Sequence, residues 1–493
     1  MNPNREGEIL EIVDRVIAQG PFKPTWESLM EVQTPRWFCQ KRLGIFLHWG
    51  IYSVPAFGNE WYSRNMYVRG QREFDHHVAT YGPHKDFGYK DFIPMFRAEK
   101  FDAEEWMAMF REAGAGYVCP VAEHHDGFQM YDSDLSNWNA KQMGPQRDVL
   151  GELMTAANQE GMTFCASSHR VEHWFFMSHG REFESDIHEP MQKGDFYWPA
   201  MPEPADHHDL FHEPAPSEEF MNDWLARTAE IILKYRPKML YFDWWIQHSA
   251  VKPYLKKLAA FYYNCGRQWG EEVIICYKHD AMMFGSGIVD VERGGFAQAK
   301  PYPWQTDTSV ARNSWCHTQE MVYKSSREIL WTLIDVVSKG GNLLLNFGPK
   351  SDGTLSGPDR QILKDLARWM AVNGEAIHGS RPWRKYEEGP THMVEGQFQD
   401  RKEKHFTDRD YRFTVGNGAI YAICMVCPEN GVFTVRSLGN TADVNLPEFH
   451  GIIKSVEILG YDGPLVWRKD REGLHVDSNV QSDLPVIIKA KVD

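Results

Sequence analysis

Lys238 to Gln247 reads KMLYFDWWIQ, and the fold follows from how this stretch is read. Met239, Leu240, Tyr241 and Phe242 form an unbroken apolar run, the pattern of a strand buried on both faces, as in parallel sheets. Pro237 ends the helical pattern before it, Asp223 to Tyr235. The run stops on Asp243, followed by Trp244 and Trp245. A carboxylate at the end of a buried strand is costly unless something uses it. Set between indole rings, it stands where a small polyhydroxylated ligand can be pressed against it. The competing reading is an Asp that caps the next helix. The rest of the chain repeats the arrangement, which favours the first reading.

Working outward, LGIFLHWG (Leu43 to Gly50) is an apolar strand ending on His48 and Trp49, with Asn59-Glu60-Trp61-Tyr62 in the loop beyond. Tyr117 to Ala122 is a buried strand ending on Glu123-His124-His125-Asp126. Met162 to Ser168 ends on His169 and Arg170, with Glu172 close behind. Val273 to Tyr277 ends near Lys278, and Gly287 to Glu292 ends on Glu292 and Arg293. Trp304-Gln305 follows a loop, and Asn342 to Asn346 is the last strand of the series. Helical patterns at 102–113, 148–159, 253–269, 319–338 and 358–373 alternate with the strands. Residues 177–215, rich in Pro, His and acids, read as a long active-site loop. Seven or eight strand–helix units predict a (β/α)8-type (TIM-like) barrel over residues 1–375, with its active site at the carboxyl ends of the strands. From about residue 380 short alternating runs such as AIYAICMV and LPVIIKAKV, separated by Gly, Asn and Asp turns, predict a C-terminal antiparallel β-sandwich over 376–493. Its chemistry is plain, so it is assigned to packing against the barrel.

Composition narrows the function. The 493 residues are 42% hydrophobic and 25% charged, ordinary for a soluble globular protein. The 18 Trp and 20 Tyr suit stacking on sugars or bases, and the net charge of −15, with no basic run, excludes a phosphate backbone as partner. The polar, amphipathic start MNPNREGEILEIVDRV has no signal-peptide core, and no apolar run reaches membrane-spanning length. The expectation is a cytoplasmic protein with no membrane partner; self-association into a homo-oligomer stays open. The eight cysteines are scattered, and Cys424 and Cys427 lack a second pair at zinc spacing, so they read as reduced packing residues.

No metal or cofactor is expected. His124 and His125 are adjacent in sequence, so in a strand they point to opposite faces, and they share one ligand only if the strand ends between them. No H-x-H, H-E-x-x-H, P-loop, strand-linked G-x-G-x-x-G or G-x-S-x-G pattern is present. Two carboxylates on different strands, with Trp and His around them, match glycoside hydrolysis, in which one carboxylate attacks the anomeric carbon and the other handles the proton.

Five ordered boxes resemble those of the family 29 glycoside hydrolases, the α-L-fucosidases: GIFLHWGIYSVP with NEWY, EHHDGF with SNWN, RDVLGEL, YFDWW, and DVVSKGGNLLLNFGPKSDGT. The resemblance spans about residues 36–380. It implies a retaining exo-hydrolase acting on a small fucosylated carbohydrate, with Asp243 as nucleophile and His48, Glu60, Trp61, His124 and His125 as sugar contacts. It also implies an acid/base in a D-x-x-x-E-R-like segment, which IVDVERGG matches at Glu292; Glu60 is the competitor and Glu172 a more distant one. Arg293 is then expected to point away from Glu292. His169, Trp245, Lys278 and Trp304 complete the predicted substrate-binding set. Three departures bear on the sugar: SSHRVEHW brings His169 and Arg170 where the family has an aromatic, Trp304-Gln305-Thr306-Asp307 replaces W-E-T-C, and CYKHD offers Lys278 for an Arg. They leave open another α-L-sugar, an L-galactoside or L-glucoside. Outside this class, an inactive sugar-binding module or a barrel isomerase are the alternatives.

Overall fold

The computed structural model describes residues 4–188, 191–401, 405–441, 443 and 445–493. Eight parallel strands close into a barrel: β1 (Leu43–Leu47), β2 (Tyr117–Glu123), β3 (Thr163–Phe164 and Ala166–Ser168), β4 (Met239–Phe242), β5 (Ile274–Lys278), β6 (Ile288–Asp290), β7 (Trp304–Ser309) and β8 (Gly341–Phe347). Closure is at β1, where Gly44 lies opposite both Tyr117 of β2 and Leu344 of β8. A Cβ on Gly44 would sit 2.2 Å from the Tyr117 ring, and Tyr117 spans the barrel to donate to Gln305 Oε1 at 2.8 Å. Glycine there makes room for the layer of side chains that fills the interior. All four residues of β4 are fully buried, as the apolar run predicts, each contributing about 1.5–3 kcal/mol relative to exposure.

The alternation of strand and helix is incomplete. Helices Ala103–Glu112, Val149–Gln159, Glu218–Tyr235, Lys252–Trp269 and Ser326–Ser338 follow β1, β2, β3, β4 and β7, and Gly357–Asn373 follows β8. Turns alone connect β5 to β6 and β6 to β7. The N-terminal helix Arg5–Gln19 buries Ile9, Val13, Val16 and Ile17 on one stripe, and packs on Glu218–Tyr235 and Lys252–Trp269. Among the described residues no helix is long and apolar enough to cross a membrane.

One strand differs from its sequence reading. Residues 304–309, WQTDTS, carry no apolar run and are not assigned to a strand from the sequence, yet β7 is buried along its whole length. Each polar side chain finds a partner: Gln305 Nε2 donates to Asp290 Oδ2 at 3.0 Å and Thr306 Oγ1 to the Val291 carbonyl at 2.7 Å. Thr308 donates to Asp400, and Asn346 Nδ2 to Ser309 Oγ at 3.2 Å. Satisfied in this way, a polar strand is stable inside a barrel.

The C-terminal chain forms a five-stranded antiparallel sheet in the order Arg381–Glu388, Tyr411–Gly416, Ala419–Cys424, Val486–Val492, Ile453–Ile458, and a three-stranded one in the order Val432–Val435, Leu474–Ser478, Leu465–Lys469. Phe413, Ile488, Phe433 and Val476 belong to a shared core, that of a β-sandwich. It docks on helix Ser326–Ser338 through Arg412 Nε to Asp335 Oδ1 at 2.6 Å and Trp331 Nε1 to the Met425 carbonyl at 2.7 Å. All eight cysteines are free thiols.

Candidate active site

A cavity of about 490 Å³ opens at the carboxyl ends of the barrel strands. Its lining includes His48, Glu60, Trp61, His124, His125, His169, Asp243, Lys278 and Glu292, nine of the eleven residues singled out from the sequence. β1 ends at Leu47, so His48 is the first residue past the strand and is free to turn inward. The same holds on β2. The strand stops at Glu123, releasing His124 and His125 from strand alternation, and their rings come within 4.2 Å of each other in one cavity.

Asp243 stands at the centre. Its Oδ1 accepts from the Trp244 backbone N–H at 2.8 Å and from Lys278 Nζ at 3.1 Å. Its Oδ2 faces His169 Nδ1 at 3.5 Å and His125 Nε2 at 3.8 Å. The helix-cap reading is therefore realised on Oδ1, while Oδ2 faces the cavity histidines. Burial alone would raise this carboxyl, but the Lys278 ammonium and His169 outweigh it and hold Asp243 well below the usual range.

Lys278, the last residue of β5, also donates to Glu292 Oε2 at 2.7 Å and lies 3.5 Å from Asp307 Oδ2. One nitrogen thus bridges two carboxylates just past the ends of different strands, so their bridged oxygens are at most about 6 Å apart, which is compatible with the roughly 5–5.5 Å carboxyl separation of retaining enzymes. Burial pushes the Glu292 carboxyl up, Lys278 opposes, and Asp307 and Asp243 add to the rise, leaving it at about 7. Two carboxyls in one cavity are thereby split, one ionised and one protonated near neutral pH. The Arg293 guanidinium is turned from Glu292 as expected. It donates to the carbonyl of Ala311 at 3.2 Å, and lies over the Trp315 ring at 4.5 Å.

Glu60 is held differently, accepting from the Trp315 backbone N–H at 3.0 Å; burial raises its carboxyl. Glu172 is wholly buried with no hydrogen-bond partner on either oxygen, and its Oε2 lies 3.4 Å from His125 Nδ1. Burial, then Asp243, pushes it well above the carboxylate range. It does not line the cavity. His48, His124 and His125 are all pushed down by burial, so they are neutral and present one donor and one acceptor each. His48 Nδ1 is fixed by Asn346 Oδ1 at 2.7 Å, which turns its Nε2 free for a ligand.

His48, His124 and His169 bring one ring nitrogen each within 4.8 Å. His125, His169 and Asp243 form a second such group; the His124 and His169 rings stack at 4.9 Å with a 26° tilt.

Two predicted contacts lie elsewhere. Trp304 is the first residue of β7, at the amino end of the barrel, with Nε1 donating to the Lys339 carbonyl at 3.1 Å. Trp245 is turned into the core by the helical turn Trp244–Gln247, stacking on His248 at 4.8 Å and packing beside Trp174. Trp244 lines the cavity in its place, and so does Trp315. Arg170 is absent from the lining, taken up by Glu123 Oε1 and Asp223 Oδ2, both at 2.8 Å. Of the departing residues only His169, Lys278 and Asp307 reach the cavity. No described residue of 177–215 is in the lining, but His207 stacks near Trp61 and Trp244, which are, and is held by Glu203 at 2.7 Å. Reasoning from sequence missed Tyr241, Trp315 and Phe398. Tyr241 had a local signal, since it shares the inward face of β4 with Asp243; its hydroxyl donates to Asp307 Oδ2 at 2.7 Å.

With this geometry in hand, residues 9–375 match the family described as α-L-fucosidase. The chain is 30% identical to the human tissue α-L-fucosidase over 460 residues, covering 92% of this chain and 87% of that one. It is 31% identical to the human plasma α-L-fucosidase over 384 residues, 74% and 73% of the two chains. Among solved structures it is similar to the Thermotoga maritima α-fucosidase in complex with a mechanism-based inhibitor, with a TM-score of 0.73 at 26% identity, covering 95% of this chain and 100% of that one.

Proposed function

The chain belongs to the α-L-fucosidase family, and from that premise we propose how its own residues release α-L-fucose with retention of configuration. The observation that carries the reading is the Lys278 bridge between Asp243 and Glu292. Asp243, ionised, attacks the anomeric carbon. Glu292, protonated near neutral pH, gives its proton to the departing glycosidic oxygen. The sugar is then an ester of Asp243, whose negative charge is gone. Lys278 is left with Glu292 as its nearest anionic partner, and the Glu292 carboxyl becomes more acidic. As a carboxylate it takes a proton from water, which attacks the anomeric carbon and frees Asp243. The neutral imidazoles of His48, His124 and His125 bind hydroxyls in either sense. Phe46 and Trp315 give the cavity an apolar wall for the methyl group of a 6-deoxy sugar. An L-galactose would need a polar partner there instead.

Glu292 is preferred to Glu60 as acid/base because it shares a cation with the nucleophile, whereas Glu60 is anchored to backbone. The test is proton NMR of an aryl α-L-fucoside digest in its first minutes. The α-anomer of L-fucose should form first. Initial β-anomer means inversion and sinks the double displacement.

A further inference from the structure

Residues 396–400 belong to the C-terminal part of the chain, assigned from sequence to packing alone, yet one of them, Phe398, lines the cavity. Gly396 and Gly295 exchange two backbone hydrogen bonds of 3.0 and 3.1 Å. The chains approach so closely that a Cβ on Gly294 would lie 1.8 Å from the Gly396 carbonyl oxygen. Phe398 N–H donates to the carbonyl of Glu292 at 2.8 Å, and Asp400 N–H to that of Arg293 at 3.0 Å. The buried Asp400 carboxylate is locked by Lys324 and Thr308 and lies 3.5 Å from Arg293 Nη1.

Between these anchors Phe398 is held at φ +54°, a left-handed backbone that a bulky side chain adopts only under constraint. Its ring lines the cavity and stays 40% exposed. A backbone strained to keep an apolar ring at a cavity mouth is a sign of use. The position says what use. A general acid protonates the glycosidic oxygen, so the leaving group departs past Glu292, and Phe398 hangs from the carbonyl of Glu292 itself.

We propose that Phe398 is an aglycone platform, stacking on the apolar face of the leaving group, whether an aryl ring or the C–H face of a pyranose, and so selecting which fucosides are cleaved. This rests on the fucosidase reading with Glu292 as acid. The C-terminal module then takes part in specificity.

The test compares Phe398→Gly and Phe398→Trp with wild type on 4-nitrophenyl α-L-fucoside and on α-L-fucosyl fluoride, whose leaving atom is too small to reach the ring. Glycine suits the left-handed backbone, so the loop keeps its shape when the ring is removed. Phe398→Gly should lose about tenfold in kcat/KM on the aryl substrate, the scale of one aromatic stack. It should stay within twofold on the fluoride, with L-fucose inhibition unchanged. Phe398→Trp should restore the aryl rate. If the two substrates respond alike to Phe398→Gly, whether by equal loss or by none, the inference is overturned while the fucosidase reading stands. A wild type that cleaves neither substrate and does not bind L-fucose overturns both.

Discussion

Replacing Lys278 by Met should move the whole pH–rate profile to higher pH, and the structure sets how far. The ammonium lies 3.1 Å from Asp243, 2.7 Å from Glu292 and 3.5 Å from Asp307. At an effective dielectric of about 20, one such contact favours the ionised carboxylate by about 5 kcal/mol before desolvation is charged against it. Removing one partner from a buried pair costs about 3–5 kcal/mol in practice. At about 1.4 kcal/mol per pH unit, that is a shift of about two to three and a half units. In the wild type kcat/KM should fall on the alkaline side near pH 7, where Glu292 gives up its proton. The acid limb belongs to Asp243, held well below the usual carboxylate range. Without the cation both carboxyls become harder to ionise, so both limbs move up. The assay is kcat/KM on an aryl α-L-fucoside from pH 4 to 10 for wild type, Lys278→Met and Lys278→Arg. The arginine variant keeps the charge and should keep the acid limb. The stability sign follows the same logic. Asp243 is more acidic folded than unfolded, so its contribution is present above the unfolded pKa and lost as pH falls through the folded one. In Lys278→Met the buried carboxyls left without the cation can take up protons at pH 4 but stay charged at pH 7, so the variant should lose more thermal stability at pH 7 than at pH 4. An acid limb that stays in place in Lys278→Met would refute the reasoning, because Lys278 would not be what keeps Asp243 ionised.

Three further outcomes follow from the site. Asp243→Ala should lose at least a thousandfold in turnover, and azide should restore part of it while forming the inverted fucosyl azide; activity within a few-fold of wild type would reduce Asp243 to the cap on Trp244. Glu292→Ala should cripple natural linkages far more than activated aryl fucosides, because poor leaving groups need the proton most; the same selective loss in Glu60→Ala alone would transfer the role. Glu172, buried without partners, is less acidic folded than unfolded, so stability declines as pH rises from the unfolded pKa. Glu172→Gln should thus raise the melting temperature by a few degrees at pH 7.5 and leave it unchanged at pH 4, and equal shifts at the two pH values would contradict a protonated Glu172.

How much of this was legible in the sequence depended on whether neighbours in space were neighbours in the chain. β4 was readable to the residue because Met239 to Phe242 are all apolar and Asp243 ends the run. The strand-end histidines followed from the same rule. β7 was not readable, since its polar side chains are satisfied by Asp290, Val291, Asn346 and Asp400, remote positions that local pattern cannot supply. The tandem Trp244-Trp245 showed that an indole borders Asp243, but the helical turn decides which one, and it sends Trp245 inward. Trp304 was misplaced for a related reason: with no strand assigned to 304–309, nothing marked it as lying at the amino end of one. Phe398 lies more than a hundred residues after Glu292, and only the tertiary pairing of Gly295 with Gly396 brings it to the cavity.

The central claim is that Asp243 forms a covalent bond to the sugar. Incubation with 2-deoxy-2-fluoro-α-L-fucosyl fluoride, followed by proteolysis and mass spectrometry, tests it most directly. One added 2-fluorofucosyl group is expected on Asp243, with wild-type Glu292 and Glu60 unlabelled and no label taken up by Asp243→Ala. Label on Glu60 or Glu292, or full labelling of Asp243→Ala, would contradict it.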